Sequence, residues 1–380
     1  MPEGGIPLVT FIMDSAETLR AEIATHIHNS DAQRFEALAL RIFAYQFASN
    51  KRYRMFCEGR NATPDTVTAW RDIPAAPAAA FKQFALTCVS AHQCTPEHGG
   101  QTFHSSGTTG AETSKHYMDA NTLQLYRQSL HTSFRHFVLT GEESGECVPY
   151  FLMPPPADAP HSSLSYMAAN LDLLPWDNFW WRDGWREELI EQLDGTDTIS
   201  VLFGTAFAWV QLMDFMEEKC VSLALPAGSR IVETGGFKGR SREVERGELY
   251  RMFTERLGVP ATHCVAEYGM SEMASQFYDT TYRDRVLGVT REPRKMGLPH
   301  LVRTRVIDPV TGEEAERGQP GVLAHYDIAN LNSCLAIQTE DWGYAHSDGD
   351  GFALLGRAPG AALRGCSLTA EEFAARQAVR

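Results

Sequence analysis

Thr198-Ile199-Ser200-Val201-Leu202-Phe203-Gly204 is a short apolar run that ends in glycine. Such a run is typical of a strand that is buried on both faces of a parallel sheet. Helical patterns lie on both sides of it, at 185–193 and 207–219. Because a strand between two helices is the repeating unit of α/β folds, this stretch sets the expected fold class.

The same alternation continues along the chain. Strand patterns at 229–233 and 263–267 enclose a helical pattern at 243–257, and an earlier strand at 148–153 is followed by three prolines. We therefore predict an α/β fold whose core is a doubly wound, mixed or parallel sheet. From residue 298 onward, short alternating segments predict a smaller antiparallel β region.

The N-terminal segment shows consecutive helical patterns, whereas the core alternates strands and helices. Asp14 with Glu17 predicts a capping box at the start of one amphipathic helix, and Asp31 precedes a second. We predict four parts, which are an N-terminal helical lead-in packed on the core (1–100), an α/β core (101–297), a small β subdomain (298–357) and a short tail (358–380).

Composition excludes some partners. The 380 residues include 34 basic and 48 acidic side chains, so the formal charge of −14 leaves no broad surface for nucleic acid or anionic lipid. No signal peptide pattern and no run of eighteen apolar residues appears, which predicts a cytoplasmic protein without a membrane span. The eight cysteines form no paired framework, and we expect reduced thiols.

One group of side chains raises the question of a metal site. Cys88, His92, Cys94 and His98 are all capable zinc ligands, but their spacing matches no common zinc finger or ribbon. Cys88 also follows an apolar stretch that suits a core position. We favour an incidental grouping over a zinc site and leave both interpretations open.

A loop rich in hydroxyl groups and glycine precedes the core strands. It reads Ser105-Ser106-Gly107-Thr108-Thr109-Gly110, with Lys115 five positions later. Backbone N–H groups, hydroxyl donors and an ammonium group together suit a polyphosphate. The lysine lies too far along for a Walker motif, and an ordinary surface turn remains the alternative.

Three further segments follow predicted strands, where ligands bind in doubly wound sheets. Gly235, Gly236, Phe237 and Lys238 suit the close approach of a flat ring and a phosphate contact, or else a tight turn.

The second segment is Glu267-Tyr268-Gly269-Met270-Ser271-Glu272, and the third is Gln338-Thr339-Glu340-Asp341-Trp342-Gly343. Tyr268 suits stacking on a base, and Glu272 suits a hard divalent cation. Asp341, which we expect at a strand end, suits the ribose hydroxyls.

In this order the segments resemble the AMP-forming adenylating superfamily of acyl-CoA synthetases, luciferases and adenylation domains. The matching residues are Ser105 to Gly110 with Lys115, Tyr268 to Glu272, Asp341 with Gly343, and Gly356 with Arg357. The resemblance implies ATP and Mg²⁺ as cofactors and the fold of the large N-terminal domain of those enzymes. It also implies a truncated C-terminal lid, because the superfamily usually continues about a hundred residues beyond the arginine.

The ending, with Cys366 beside Arg364, resembles the acyl-protein synthetase (LuxE-like) family. That resemblance implies that Cys366 accepts a fatty acyl group from an acyl adenylate, for delivery to an acyl-accepting reductase or a carrier protein. The nine residues from Arg357 would span about 30 Å, which suits this role. A buried structural cysteine is the alternative.

The catalytic lysine of the lid has no counterpart here, and Lys115, Lys238 or Arg357 would supply its charge. His161 and Ser162 are candidates for the border of the acyl pocket, whereas the aromatic run at 176–185 fits either a cavity wall or core packing. Two other functions remain open. One is a ligase that passes the acyl or aryl group directly to coenzyme A, a carrier protein or an amine, and the other is a catalytically degenerate nucleotide-binding subunit.

Overall fold

A computed structural model describes residues 14–105, 113–141, 147–171, 173, 179–235, 242–359 and 370–377. Its helices are α1 (Ala16–Asn29), α2 (Phe35–Ser49), α3 (Lys51–Gly59), α4 (Ala80–Gln83), α5 (Ala120–Phe137), α6 (Ser163–Ala169), α7 (Trp185–Leu193), α8 (Ala206–Glu218), α9 (Arg246–Leu257), α10 (Thr281–Val286) and a C-terminal helix (370–377). None of the helices in these ranges is long and apolar enough to cross a membrane.

The strands are β1 (Ala76–Pro77), β2 (Gln101–His104), β3 (Lys115–Met118), β4 (Val148–Leu152), β5 (Phe179–Trp180), β6 (Ser200–Thr205), β7 (Arg230–Thr234), β8 (Cys264–Tyr268), β9 (Phe277–Asp279), β10 (Lys295–Met296), β11 (Val302–Ile307), β12 (Gly321–Asp327), β13 (Ala336–Ala345) and β14 (Phe352–Arg357). Within the described ranges, twelve of them form one sheet, and β2 and β3 form a separate hairpin.

The large sheet is mixed. Strands β5, β4, β6, β7 and β8 lie side by side and parallel, and the sheet continues antiparallel through β9 and β10. This arrangement confirms the predicted α/β class with a mixed, largely parallel core. The run at 198–204 is β6, which lies between two parallel neighbours as its apolar composition predicted.

Alternating side chains of the parallel strands contribute to two cores, one on each face of the sheet. Val201 and Phe203 face the core that also holds α1, α2 and α5. Leu202 and Ile231 face the opposite core, which contains α7, α8 and α9. Helices on both faces explain why these strands carry apolar residues at successive positions.

The antiparallel region after residue 298 extends the large sheet instead of forming a sheet of its own. Strand β14 pairs with β10, and β13, β12 and β11 follow in antiparallel order. The structure therefore joins the predicted core and the predicted β subdomain edge to edge, and the boundary at 298 stays a prediction.

The N-terminal helices differ from the sequence expectation in two details. Ser15, not Asp14, caps α1, because its side chain accepts a hydrogen bond from the backbone of Thr18. Asp14 instead pairs with Arg41 of α2 at 2.7 Å. A third helix, α3, follows α2 after only one residue, Asn50, whose side chain accepts from Tyr53 N. We had predicted two helices here.

The C-terminal helix (370–377) packs against the N-terminal helices. Phe373 is fully buried, with its ring centroid 4.9 Å from that of Phe56 and 5.6 Å from that of Phe84. Arg60 forms an ion pair with Glu372 at 2.6 Å. The last described turn of the chain is therefore attached to the body of the protein.

Candidate functional site

The predicted phosphate loop connects the two strands of the β2–β3 hairpin. Its ends are held together, because Ser105 N donates to Ser114 O at 3.1 Å and Ser114 N donates to Ser105 Oγ at 3.0 Å. Lys115 is exposed and pairs with His104 in the hairpin register. Residues Ser106, Gly107, Thr108, Thr109 and Gly110 lie outside the described residues.

A hydrogen bond joins this loop to the predicted cation ligand. The Ser114 hydroxyl donates to Oε1 of Glu272, which is buried. Burial raises the pKa of Glu272, and the bond from Ser114 opposes that rise. Oε2 of Glu272 has no hydrogen-bond partner among the described side chains. The structure thus brings the loop and the Tyr268–Glu272 segment to one place.

Two residues that the sequence analysis missed hold this contact in position. His116 Nδ1 lies 2.7 Å from the carbonyl oxygen of Ser271, and its Nε2 lies 3.0 Å from Asn330 Oδ1. Asn330 Nδ2 donates to the carbonyl oxygen of Glu272 at 2.9 Å. Burial lowers the pKa of His116 to about 4. The alternation of β3, which turns His116 inward beside exposed Lys115, was the only sequence signal for this role.

A second cluster contains Tyr268, Asp341 and Arg357. The Tyr268 hydroxyl donates to Asp341 Oδ2 at 2.7 Å and also lies 3.2 Å from His325 Nε2. Arg357 Nη1 lies 3.5 Å from Asp341 Oδ1. Burial raises the pKa of Asp341, while Tyr268 and Arg357 oppose that rise.

The position of Asp341 corrects one expectation. We predicted it at a strand end, but it lies inside β13, the ten-residue strand Ala336–Ala345. There it pairs directly with Arg357 of β14 in the antiparallel register. The aspartate and the arginine therefore meet because they are cross-strand neighbours.

Two glycines in the predicted nucleotide segments lie where a side chain would be unfavourable. Gly235 follows β7 with a φ of +69°, which favours glycine. A side chain at Gly269 would bring a Cβ to 2.6 Å from Glu267 Oε1. Gly236, Phe237 and Lys238 lie outside the described residues, as does Cys366.

A cavity of about 600 Å³ opens beside these segments. His161, Ser162 and Met270 line it, together with the ends of β6 and β7. His161 stacks on His104 with ring centroids 4.1 Å apart, and the Ser162 hydroxyl accepts from Ser165 N at the start of α6. Both predicted pocket residues therefore border the cavity, although the Ser162 side chain serves as a helix cap.

Described members of the aromatic run and of the cysteine–histidine group contact neighbouring residues. In the aromatic run, Trp180 packs against Phe151 and Trp181 packs against Trp185. Cys88 and Cys94 point to separate carbonyl oxygens, those of Ser333 and Ser90. In the described part of the chain, no three His, Cys, Asp or Glu side chains converge on a metal-sized site.

A family model described as acyl-protein synthetase, LuxE, matches residues 187–374. The predicted resemblance to this family is confirmed. The LuxE match includes Glu272, Asp341, Arg357 and Cys366, whereas the loop at 105–115 precedes it. A sequence comparison with curated proteins returns no match.

Solved structures agree on the fold. The chain is similar to 2-hydroxyisobutyryl-CoA ligase in a postadenylation state with 2-HIB-AMP, at 13% identity and a TM-score of 0.62, over 91% of this chain and 69% of the ligase. An open conformation of that ligase with 2-HIB-AMP and CoA matches at 12% identity and a TM-score of 0.62, over 84% of this chain and 73% of the ligase. Identities this low show the fold alone, which this chain shares with that ligase.

Proposed function

We propose that this protein activates a carboxylic acid with ATP and transfers the acyl group to the thiol of Cys366, as an acyl-protein synthetase. In the first step a carboxylate oxygen attacks the α-phosphorus, so that pyrophosphate leaves and an acyl adenylate forms. In the second step the Cys366 thiolate attacks the acyl carbon, a thioester forms and AMP leaves with the electron pair of the broken C–O bond. The resemblance to LuxE supports a fatty acid as substrate and an acyl reductase or carrier as partner.

The observation that carries the adenylation step is the Ser114–Glu272 contact beside the Tyr268–Asp341–Arg357 cluster. The two contacts share the Tyr268–Glu272 segment, and residues 269–271 of that segment line the cavity. The hairpin loop suits the phosphates, and the Asp341 carboxylate suits the ribose hydroxyls. Arg357 and Lys115 are the described members of the three cations that we predicted to stabilise charge on the phosphates.

Glu272 fits the Mg²⁺ that the family implies. Ser114 is the described side chain that donates to this carboxylate, and a bound cation would offset the cost of burying its charge. Magnesium commonly uses one or two carboxylates and completes its shell with water and substrate phosphates. A cation at Glu272 would offset negative charge on the phosphates of ATP.

The C-terminal helix restricts the reach of the proposed nucleophile. Cys366 precedes Ala370, the first residue of this helix, by four positions, and a fully extended chain of that length spans at most roughly 14 Å. This tether is shorter than the free tail of about 30 Å that we inferred from the sequence. Phe84, which contacts this helix through Phe373, belongs to the same segment as Phe81, and Phe81 packs on His116. The anchor thus lies on the side of the protein that carries the phosphate hairpin.

The direct test is covalent labelling. Wild-type protein is incubated with a radiolabelled acid and ATP, and the protein is analysed on gels with and without hydroxylamine. We expect an ATP-dependent label that hydroxylamine removes, and no label on Cys366→Ala. Full labelling of Cys366→Ala would overturn the role of the cysteine.

The Cys366→Ala variant also distinguishes this proposal from the alternative, a ligase that uses another acyl acceptor. If the acyl group passes directly to coenzyme A, a carrier protein or an amine, Cys366→Ala forms that product at the wild-type rate. If Cys366 is the acceptor, the variant still catalyses acid-dependent pyrophosphate exchange but delivers no acyl group.

A further inference from the structure

The cavity beside the proposed nucleotide site has a polar wall. Tyr126, Glu267 and Gln276 all line it, and they are only 4%, 7% and 3% exposed. Tyr126 comes from α5, Glu267 from β8, and Gln276 lies just before β9. Glu267 and Gln276 both adjoin Gly269, whose missing side chain leaves room between them. Three separate parts of the chain thus place polar groups at one surface of the cavity.

The hydrogen-bonding capacity of this wall is mostly unused by the described residues. Thr234 donates to Oε2 of Glu267, and no described residue donates to its Oε1. The side-chain oxygen of Gln276 is buried without a partner. No hydrogen bond joins the Tyr126 hydroxyl to another described group, although Glu267 is close enough to influence its titration. A buried polar group without a partner is unfavourable, so the wall is suited to a polar ligand.

Other parts of the cavity lining are apolar. Met153, Leu164, Met167, Phe207 and Met273 supply apolar surface. An unsubstituted alkyl chain would pack well against these side chains, but it would cover Glu267 and Gln276 without offering either of them a hydrogen bond. An acid with an apolar body and one polar substituent matches both surfaces.

We propose that the acid activated by this protein carries a hydroxyl or amino group that donates a hydrogen bond to Glu267, with Gln276 and Tyr126 as further polar contacts. This assignment rests on the proposed adenylation and replaces an unsubstituted fatty acid as its substrate. Glu267, Gln276 and Tyr126 are then the residues that determine specificity for the acid.

The electrostatics of Glu267 agree with a donor as ligand. Burial raises the pKa of Glu267 to about 7, and Thr234 and then Lys295 oppose that rise. A hydroxyl or ammonium group in the cavity would stabilise the carboxylate form in the same direction as Thr234 does. Lys295 itself forms an ion pair with Asp279 at 3.1 Å.

The test compares matched acids on the wild-type protein. ATP–pyrophosphate exchange is measured with straight-chain alkanoates from butyrate to octanoate, and with the 2-hydroxy, ω-hydroxy and ω-amino forms of each. Benzoate is compared with 3-hydroxybenzoate and 3-aminobenzoate. We expect kcat/KM for the best donor-bearing acid to exceed that of its unsubstituted counterpart roughly tenfold or more, because sites built to hydrogen-bond a substrate group reject analogues that lack it.

Substitutions at the wall provide the second arm. Glu267→Leu should reduce this preference at least about tenfold and improve the use of unsubstituted acids. Glu267→Gln should keep exchange activity with hydroxy-substituted acids and lose activity with amino-substituted acids, since the amide keeps a hydrogen-bond acceptor but not the negative charge. Glu233→Gln is the matched control, because Glu233 is a buried carboxylate on the adjacent strand that pairs with Arg246 instead of lining the cavity. Thermal unfolding of each variant shows whether the fold is intact.

The possible results distinguish a wrong substrate class from an absence of adenylation. Exchange that is equally fast with plain and donor-bearing acids, in wild type and in Glu267→Leu, would overturn the assigned substrate class and leave adenylation standing. Absence of exchange with every acid would overturn the adenylation itself, and the assigned substrate class with it.

Discussion

The Ser114 hydroxyl donates a hydrogen bond to the Glu272 carboxylate, a contact between residues 158 positions apart in the chain. It connects the phosphate hairpin to the segment that follows β8. His116 and Asn330 reinforce the same junction through the backbone of Ser271 and Glu272.

Glu272→Gln should slow magnesium-dependent pyrophosphate exchange roughly a hundredfold or more, because the neutral amide no longer holds a hard cation beside the phosphates. Ser114→Ala is the control, since it keeps the carboxylate and should keep the magnesium requirement. Exchange rates are measured across a magnesium titration. An unchanged titration for Glu272→Gln would remove Glu272 from the proposed cation site.

Asp341→Asn should raise KM for ATP about tenfold, because a neutral amide binds the ribose hydroxyls more weakly than a carboxylate. The same comparison is repeated with 2′-deoxy-ATP and 3′-deoxy-ATP. Wild type should bind at least one deoxy analogue more weakly than ATP, and this difference in affinity should be much smaller for Asp341→Asn. Equal losses for both proteins would show that Asp341 does not contact the ribose.

Phe373→Ala should slow thioester formation on Cys366 while pyrophosphate exchange continues. Removing a buried phenylalanine costs about 3–5 kcal/mol, which is enough to release a helix of this length from α3. Release lowers the local concentration of the Cys366 thiol at the adenylate. Rates of labelling and of exchange are measured on the same preparation.

Arg60→Ala is the matched control for the anchored helix. The Arg60–Glu372 ion pair has side chains that are 37% and 32% exposed, and such pairs contribute about 0–1 kcal/mol. Labelling should therefore change little in this variant. A Phe373→Ala protein that labels as fast as wild type would contradict the proposed role of the anchor.

Glu267→Gln should alter the pH dependence of stability. The pKa of Glu267 is raised from an ordinary 4.5 to about 7, so the folded protein holds a proton that the unfolded chain has lost between these values. The free energy of unfolding contributed by this group therefore falls as pH rises from 4.5 to about 7, by on the order of 3 kcal/mol.

The glutamine variant lacks this titration and should gain stability relative to wild type at pH values above that window. Urea denaturation on both sides of the window measures the difference. Glu218→Gln, at an exposed carboxylate, is the control. Parallel pH profiles for wild type and Glu267→Gln would contradict the raised pKa.

Much of the fold follows from local sequence patterns. The apolar runs of β6 and β8 and the helix Trp185–Leu193 were predicted to within a residue or two, because burial on both faces and helical spacing leave clear signals. The longest strand, Ala336–Ala345, was missed. It carries Gln338, Glu340 and Asp341 at partly buried positions, so its sequence resembles a polar turn.

The candidate site, too, was predicted only in part from the sequence. Ser105 to Lys115, Tyr268 to Glu272 and Asp341 were predicted from motifs, because each places several functional groups within a short stretch. The polar wall formed by Tyr126, Glu267 and Gln276 was not, since it depends on contacts between distant segments. The Ser114–Glu272 and Asp341–Arg357 contacts likewise arise from hairpin closure and strand register.

The central claim is that this site forms an acyl adenylate, and acid-dependent ATP–pyrophosphate exchange tests it most directly. Exchange is measured across fatty, hydroxy, amino and aryl acids, alongside ATP binding by calorimetry. We expect that exchange by the wild type requires both the acid and magnesium. We also expect that exchange persists in Cys366→Ala. ATP binding without exchange for any acid would contradict it and would favour a nucleotide-binding subunit without catalysis.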